Sequence, residues 1–349
     1  MRVVSLQGTP FEIGRAHGET LRESIRVVIQ VYMDLLGALG GGGRESIREL
    51  ALAFAERIER FDPRYMEEIR GIAIGSDADV RDILALNART EILTSLLATS
   101  KECTLFCFVK EGILAQTWDW LRRLEGRVVL LKIEGNDGHT VLTMTEPGIV
   151  GKIGINSAGL GVGLNILSSS QRANGVPVHV LLRAALDATS WELARDRLTK
   201  SQIGTNSAIT LADDRGRCFT CEYKGGEIKV LEPKNGVLVH TNHYIAEAAD
   251  SPIPDSEPRL ARAESLIESL PERSVRTAKI ILGDRACDSG TICVPWKDEG
   301  EWGHMGTVAS VVIELKNRKL HVSGSEPGSF NSIPAAMSYV DIPYDEHVI

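Results

Sequence analysis

The sequence predicts an α+β fold, and two changes of periodicity carry that prediction. Residues 16–98 place apolar side chains at helical spacing, whereas from Cys103 onward short apolar runs are broken by Gly, Asp or Asn. Paired helical segments then return between further sets of strands, an alternation that lets helices cover the faces of sheets.

The helical block divides at its own punctuation. "ETLRESIRVVIQVYMDLLGAL" runs into four glycines at 40–43, and "RESIRELALAFAERIERF" stops at Asp62 and Pro63. "RYMEEIRGIAIGS" follows, and Asp79 supplies an N-cap for "DVRDILALNARTEILTSLLA". The first strand set comprises "CTLFCFVK", "ILAQTWDW", "RVVLLKIEG", "HTVLTMTEPG", "VGKIGINSAG" and "LGVGLNILS". Such closely spaced runs predict consecutive antiparallel strands. Helices recur at "PVHVLLRAALDA" and "SWELARDRLTK". A second strand set follows in "SAITLADDRG", "RCFTCEYKG", "EIKVLEP" and "GVLVHTNHY". Residues 248–258, "AADSPIPDSEP", read as a loop. "PRLARAESLIESL" and "SVRTAKIIL" read as helices, and "TVASVVIELKNRKLHVSG" as a hairpin. No internal repeat or low-complexity segment interrupts this order.

Composition narrows the function. The 349 residues are 43% apolar, enough for two domains or one large layered domain. The net charge is −8 and no Lys/Arg run exceeds two residues, which argues against nucleic acid as a partner. The N-terminus has no apolar core of signal-peptide length, and no run approaches the ~18 continuous apolar residues of a membrane span. The expectation is a soluble, cytoplasmic protein with no membrane partner. Six cysteines in a chain of this length do not make a disulfide scaffold. Cys218 and Cys221, like Cys287 and Cys293, supply half a zinc site each, and on a strand Cys218 and Cys221 face opposite ways, so no metal is expected. The glycine run lacks the Lys-Ser/Thr of a phosphate loop.

Cys103 opens the first strand after the helical block, and Asp119 follows within "TWDW". A thiol needs a base to become a nucleophile. None of the eight histidines stands in a familiar cysteine-protease context. Cleavage of the bond before Cys103 would provide another base, an α-amino group with a reference pKa of about 7.7–8.0. A strand cysteine is more often a small buried hydrophobe, and Cys107 is read that way.

Several motifs, in this order, give the chain a resemblance. They are "GTPFEIGRAHG", "EEIRGIAIGSDADVRDILALNARTEI", "CT" at Cys103 and Thr104, "QTWDW", "GKIGINSAGLGVGLNIL", "HTNHY" and "GTVASVVIELKNRKLHVSG". Together they resemble the self-processing acyl-CoA:6-aminopenicillanic acid (isopenicillin N) acyltransferase family of N-terminal-nucleophile hydrolases, with a more distant likeness to penicillin V acylases and bile salt hydrolases. The resemblance implies a four-layer αββα sandwich preceded by a helical pro-segment. Residues 1–102 would be released by self-cleavage at the Glu102–Cys103 bond and would stay associated with residues 103–349 as one globular unit. It implies Cys103 as nucleophile with its own amine as base, Asp119 holding the resulting ammonium, and Asn242 as an oxyanion donor. Asn165 would line the same cleft, with Thr104 beside the nucleophile. Gln116 stands where the bile salt group carries arginine, which favours the acyltransferase branch. Arg259 matches a family arginine that follows a serine; Pro258 replaces that serine here, and Arg262 competes for the assignment. Glu102 replaces the usual glycine and crowds the scissile bond.

The expected activity is hydrolysis or transfer of the acyl group of a small N-acyl amide or peptide-like substrate through a Cys103 thioester. No resident cofactor is expected, and CoA enters only as a co-substrate of the acyltransferase form. The absence of a dense basic patch for its phosphates favours hydrolysis. The competing expectation is a non-catalytic, unprocessed binding or assembly protein of the same fold, with Glu102 as its support.

Overall fold

A computed structural model describes residues 1–95, 103–247, 253–285, 290–298, 304–324 and 339–343. It opens with a strand, β1 (Arg2–Gly8), and continues through α1 (Pro10–Leu36), α2 (Arg44–Phe61), α3 (Pro63–Ser76), α4 (Val80–Asn87) and α5 (Arg89–Ser95). Next come β2 (Leu105–Phe108), β3 (Ile113–Leu121), β4 (Val129–Gly135), β5 (Thr140–Thr145), β6 (Ile153–Asn156) and β7 (Leu160–Ile166). The helices α6 (Val178–Leu186) and α7 (Trp191–Lys200) precede β8 (Ser207–Asp213), β9 (Cys218–Lys224), β10 (Glu227–Leu231) and β11 (Val237–His240). The chain closes with α8 (Ser256–Ser269), α9 (Val275–Leu282), β12 (Lys297–Asp298), β13 (His304–Glu314), β14 (Lys319–Gly324) and β15 (Tyr339–Pro343). Helices and two sheets make the chain α+β, with an N-terminal helical region.

The chain divides into two compact units, the first comprising residues 1–99, 127–158 and 172–205 and the second the remainder. In the first unit, strands run in the order β1-β4-β5-β6. β1 differs from the sequence expectation, which placed the first strand at Cys103. It pairs in parallel with β4, with Val4 opposite Leu131, and buries only Val4 and Leu6 of its side chains. So short an alternation, paired far along the chain, has little local signature.

α1 begins at Pro10, upstream of the expected start. Thr9 and Glu12 form a reciprocal capping box, and Pro10 occupies the first turn. With its π-helical continuation α1 spans Pro10–Gly41, long and apolar enough by length and composition to cross a membrane, and half of its most apolar window is buried in the protein. Asp62 and Asp79 cap α3 and α4 by accepting from the Arg64 and Arg81 amides.

Glycines set the spacing of α1 and α3. A Cβ at Gly14 would lie 2.0 Å from the Glu68 carbonyl oxygen, and one at Gly71 2.3 Å from that of Phe11. Gly18 and Gly75, one turn further along each helix, meet opposing backbone at 2.4 and 2.1 Å. The two backbones therefore touch, which only glycine permits.

In the second unit the strands run β7-β8-β9-β10 and β11-β2-β3-β13-β14-β15, with β12 beside β13. Phe106, Phe108, Ala115 and Val312 share one sheet face and pack on Ala263 of α8 and on Ala278, Ile281 and Leu282 of α9. The opposite face of β2 and β3 carries Leu105, Cys107, Leu114 and Gln116. A break in the β3–β13 ladder falls between Thr307 and Ala309, beside Asp119.

The helix contact yields a stability prediction. Gly71→Ala should lower stability by about 1–3 kcal/mol through forced separation of α1 and α3. Gly43→Ala, whose added Cβ meets nothing within 4 Å, should change it by about 1 kcal/mol or less. Urea denaturation measures both, and equal effects would show that the helices part at no cost.

Candidate active site

Cys103 is 1% exposed and adopts φ +66°, in the left-handed region that non-glycine residues seldom occupy. Beyond it the ladder of β2 and β3 begins at once. The Thr117 amide donates to the Thr104 carbonyl at 2.9 Å, and the Thr104 amide donates to Thr117 Oγ1 at 3.0 Å.

The Cys103 carbonyl oxygen is gripped from two directions. Asn165 Nδ2 on β7 donates to it at 3.0 Å, and Arg259 Nη1 on α8 does so at 3.0 Å. Arg259 Nη1 also reaches Thr104 Oγ1 at 3.2 Å, and its Nη2 donates to Asn242 Oδ1 at 2.7 Å. Asn242 Nδ2 donates in turn to the Ile166 carbonyl at 2.9 Å. Cys103, Thr104, Asn165, Asn242 and Arg259 thus form one buried hydrogen-bonded cluster. Arg259 rather than Arg262 enters it; Arg262 faces elsewhere and pairs with Asp284 at 2.7 Å.

Gln116 stands one step behind this cluster. Its amide donates to the Leu164 carbonyl and accepts from the Leu164 amide at 3.0 Å, so both halves of the side chain clamp β7 beside Asn165. Space for the clamp depends on Gly163, where a Cβ would lie 2.8 Å from Gln116 Oε1. Asp119, on the same strand as Gln116, is buried and accepts from Thr307 Oγ1 at 2.5 Å. Thr307 is itself fixed: its Oγ1 accepts from the Val294 amide at 2.8 Å, and its amide donates to the Val294 carbonyl at 2.9 Å. Because that hydroxyl already accepts, its proton is directed to Asp119.

Further supports have no sequence motif of their own. Ser256 Oγ accepts from the Asn242 amide at 2.7 Å and contacts His243 Nδ1 at 2.8 Å. Burial holds the His243 imidazole below its usual range, and the charge of His240 adds to this. His240 meets Glu222 at 2.9 Å, and Glu222 also accepts from the Ile245 and Ala246 amides. Burial raises the Glu222 carboxyl, but those hydrogen bonds and the His240 charge outweigh it and leave the pKa lowered. Near Asp119, Arg285 donates twice to Cys293 Sγ, at 3.3 and 3.2 Å. The Cys293 thiol is raised, chiefly by burial. A hydrogen bond to Cys107 pushes the Cys218 thiol well up, with burial acting in the same sense. Among the described residues no three His, Cys, Asp or Glu side chains group closely enough to hold a metal ion. Cys287 lies outside the described residues.

Cys103 thus leads into a strand from a buried position, with its carbonyl held by an amide and a guanidinium. Comparison with known proteins identifies the family. The family model for acyl-coenzyme A:6-aminopenicillanic acid acyl-transferase matches residues 107–328, and the chain belongs to that family. The 40 kDa form of acyl-coenzyme A:6-aminopenicillanic-acid-acyltransferase from Emericella nidulans is 30% identical over 335 residues, 93% of each chain. Protein dcd1A of Dictyostelium discoideum is 25% identical over 276 residues, 66% of this chain and 60% of its own. Among solved structures, the N-acylethanolamine-hydrolyzing acid amidase ortholog of Caenorhabditis elegans aligns with TM-score 0.47 and 14% identity, over 61% of this chain and 93% of that one. A mutant conjugated bile acid hydrolase from Clostridium perfringens aligns with TM-score 0.42 and 12% identity, over 70% and 92%.

The two arginines of α8 give a clear contrast. Arg259→Ala leaves Asn242 Oδ1 and Thr104 Oγ1 without their buried donor and should cost about 2–4 kcal/mol. Arg262→Ala removes a pair whose arginine side chain is 28% exposed and should cost roughly 1 kcal/mol. Chemical denaturation of both variants tests the ranking, and a reversed order would contradict it.

Proposed function

We propose that the protein is a self-processing cysteine amidohydrolase or acyltransferase acting on a small N-acyl amide or peptide-like substrate. The observation that carries the reading is the held carbonyl of Cys103. Residue 103 is fixed on its C-terminal side by Asn165, Arg259 and Thr117, while its N-terminal side is set at φ +66°. For an L-residue that torsion costs about 1–2 kcal/mol. It exists only while residue 102 is attached, so cutting the bond before Cys103 releases the strain.

In this scheme the Cys103 thiol attacks the Glu102 carbonyl, the peptide C–N bond breaks as the C–S bond forms, and the departing nitrogen takes a proton to become the α-amine. Water then hydrolyses the thioester and leaves a carboxylate on Glu102. Glu102 and the rest of the scissile segment lie outside the described residues. The new amine serves as base for turnover: it takes the thiol proton as Sγ attacks the substrate carbonyl, then delivers that proton to the leaving amine. Asp119, oriented by Thr307, is the counter-ion for the ammonium. Asn242 is held at both ends of its amide, which leaves its second N–H to meet the developing oxyanion.

The relative from Emericella nidulans supports acyl transfer to or from an amine, with CoA as co-substrate in the transferase form. In the hydrolase form water resolves the same Cys103 thioester. The segments 1–102 and 103–349 would remain together after cleavage, and the protein would act in the cytoplasm.

The test is sequencing of the purified protein. Two fragments of about 11 and 27 kDa are expected by proportion of the 38.1 kDa chain. The larger should begin at Cys103, and Cys103→Ala should remain intact. An intact chain that turns over amide substrates would contradict the amine-base mechanism, and an intact, inactive chain would favour the unprocessed binding-protein reading.

A further inference from the structure

Asn165 has an acceptor with no donor. Its Nδ2 faces two carbonyl oxygens, Cys103 at 3.0 Å and His240 at 3.4 Å, so both amide protons are engaged. Those two acceptors also fix which end of the amide is nitrogen, because a flipped group would set oxygen against two oxygens. Oδ1 therefore points away from them. It is fully buried and has no hydrogen-bond partner among the described residues. A buried amide oxygen left unpaired costs about 1–3 kcal/mol. The Gln116 clamp on neighbouring Leu164 holds Asn165 in this place.

We infer that Oδ1 of Asn165 is the acceptor for the α-amino group of Cys103 in the processed protein. This rests on the self-cleavage reading above. The nitrogen of Cys103 is two bonds from the carbonyl carbon whose oxygen Asn165 already holds, which keeps it in the neighbourhood of the same side chain. Before cleavage that nitrogen has one N–H, fixed in direction by the peptide plane. After cleavage it is an ammonium whose three N–H bonds rotate freely, and one of them can turn to Oδ1. Asn165 is then a positioning residue for the base rather than a second oxyanion donor, since its protons are already committed. It would aim the amine lone pair by occupying one N–H, while Asp119 neutralises the charge.

The charged and titratable groups of the cluster are Arg259 on α8 with Asp255 3.7 Å from its Nε, His240 on β11 with Glu222 of β9, and the Cys103 thiol, to which the self-cleavage reading adds Asp119 on β3 as counter-ion. Arg259 would lower the amine pKa and Asp119 would raise it. A neutral acceptor at Asn165 favours the ammonium and raises the pKa as well.

The α-amine can be titrated directly. Protein labelled with 15N-cysteine has one cysteine nitrogen that is an amine, and its resonance is followed against pH in the processed wild type, Asn165→Ala and Asn165→Asp. Removing the acceptor should lower the amine pKa by about one pH unit, and a carboxylate at the same place should raise it by about one or more. The Asp variant sets an oxygen against the Cys103 and His240 carbonyls, so Asn165→Ser, whose hydroxyl can still donate to one of them and which should lower the amine pKa as Ala does, decides the question if the Ala variant fails to fold. An unmoved pKa in the folded variants would overturn the assignment and leave self-cleavage intact. Absence of the amine resonance in the wild type would refute the processing reading itself.

Discussion

The guanidinium of Arg259 is the interaction on which the site depends. It is 1% exposed, and taking a cation out of water costs several kcal/mol unless oxygen acceptors surround it. Those acceptors come from separate stretches of chain: Cys103 and Thr104 ahead of β2, Asn242 beyond β11, and Asp255 at the start of α8. Partnering one buried charge therefore gathers the Cys103 carbonyl, the residue that follows it and the Asn242 amide. The carbonyl of Cys103 is held in place as a consequence. In the proposed mechanism, preorganisation of that kind places donors before charge develops, where they lower the barrier most.

A second layer holds the first. Gln116 grips Leu164 by both backbone groups and so sets Asn165, Ser256 fixes the Asn242 amide, and Thr307 directs its proton to Asp119. None of these three contacts reaches Cys103 in the described hydrogen bonds, yet each orients a group that does or that is assigned to do so. Gln116 can make this grip because an amide both donates and accepts, which a guanidinium cannot.

Much of this was legible in the sequence, for a physical reason in each case. Strands β2 to β11 announce themselves because short apolar runs bounded by Gly, Asp and Asn leave few other solutions, and α4 because Asp79 caps it. β1 was missed because its partner among the described residues, β4, is distant and parallel. Cys103, Asn165 and Asn242 were readable as motif residues. Arg259 and Arg262 were not separable, since both lie on one helix three residues apart, and only the fold shows which of them faces the Cys103 carbonyl. Thr307 and Ser256 carry no signal at all: a hydroxyl is common on strands and at helix starts, and its direction is a property of the packed structure. The pairing of His240 with Glu222 was likewise invisible, because strand register rather than spacing brings them together.

The central claim is that Cys103 carries the acyl group through its sulfur. Rapid acid quenching of the processed protein with a panel of chromogenic acyl amides, followed by peptide mass mapping, tests it most directly. The account predicts the acyl mass on the peptide that begins at Cys103, removable by hydroxylamine as a thioester is. An acyl mass on any other residue, or one on Cys103 that resists hydroxylamine as an amide on its nitrogen would, contradicts it.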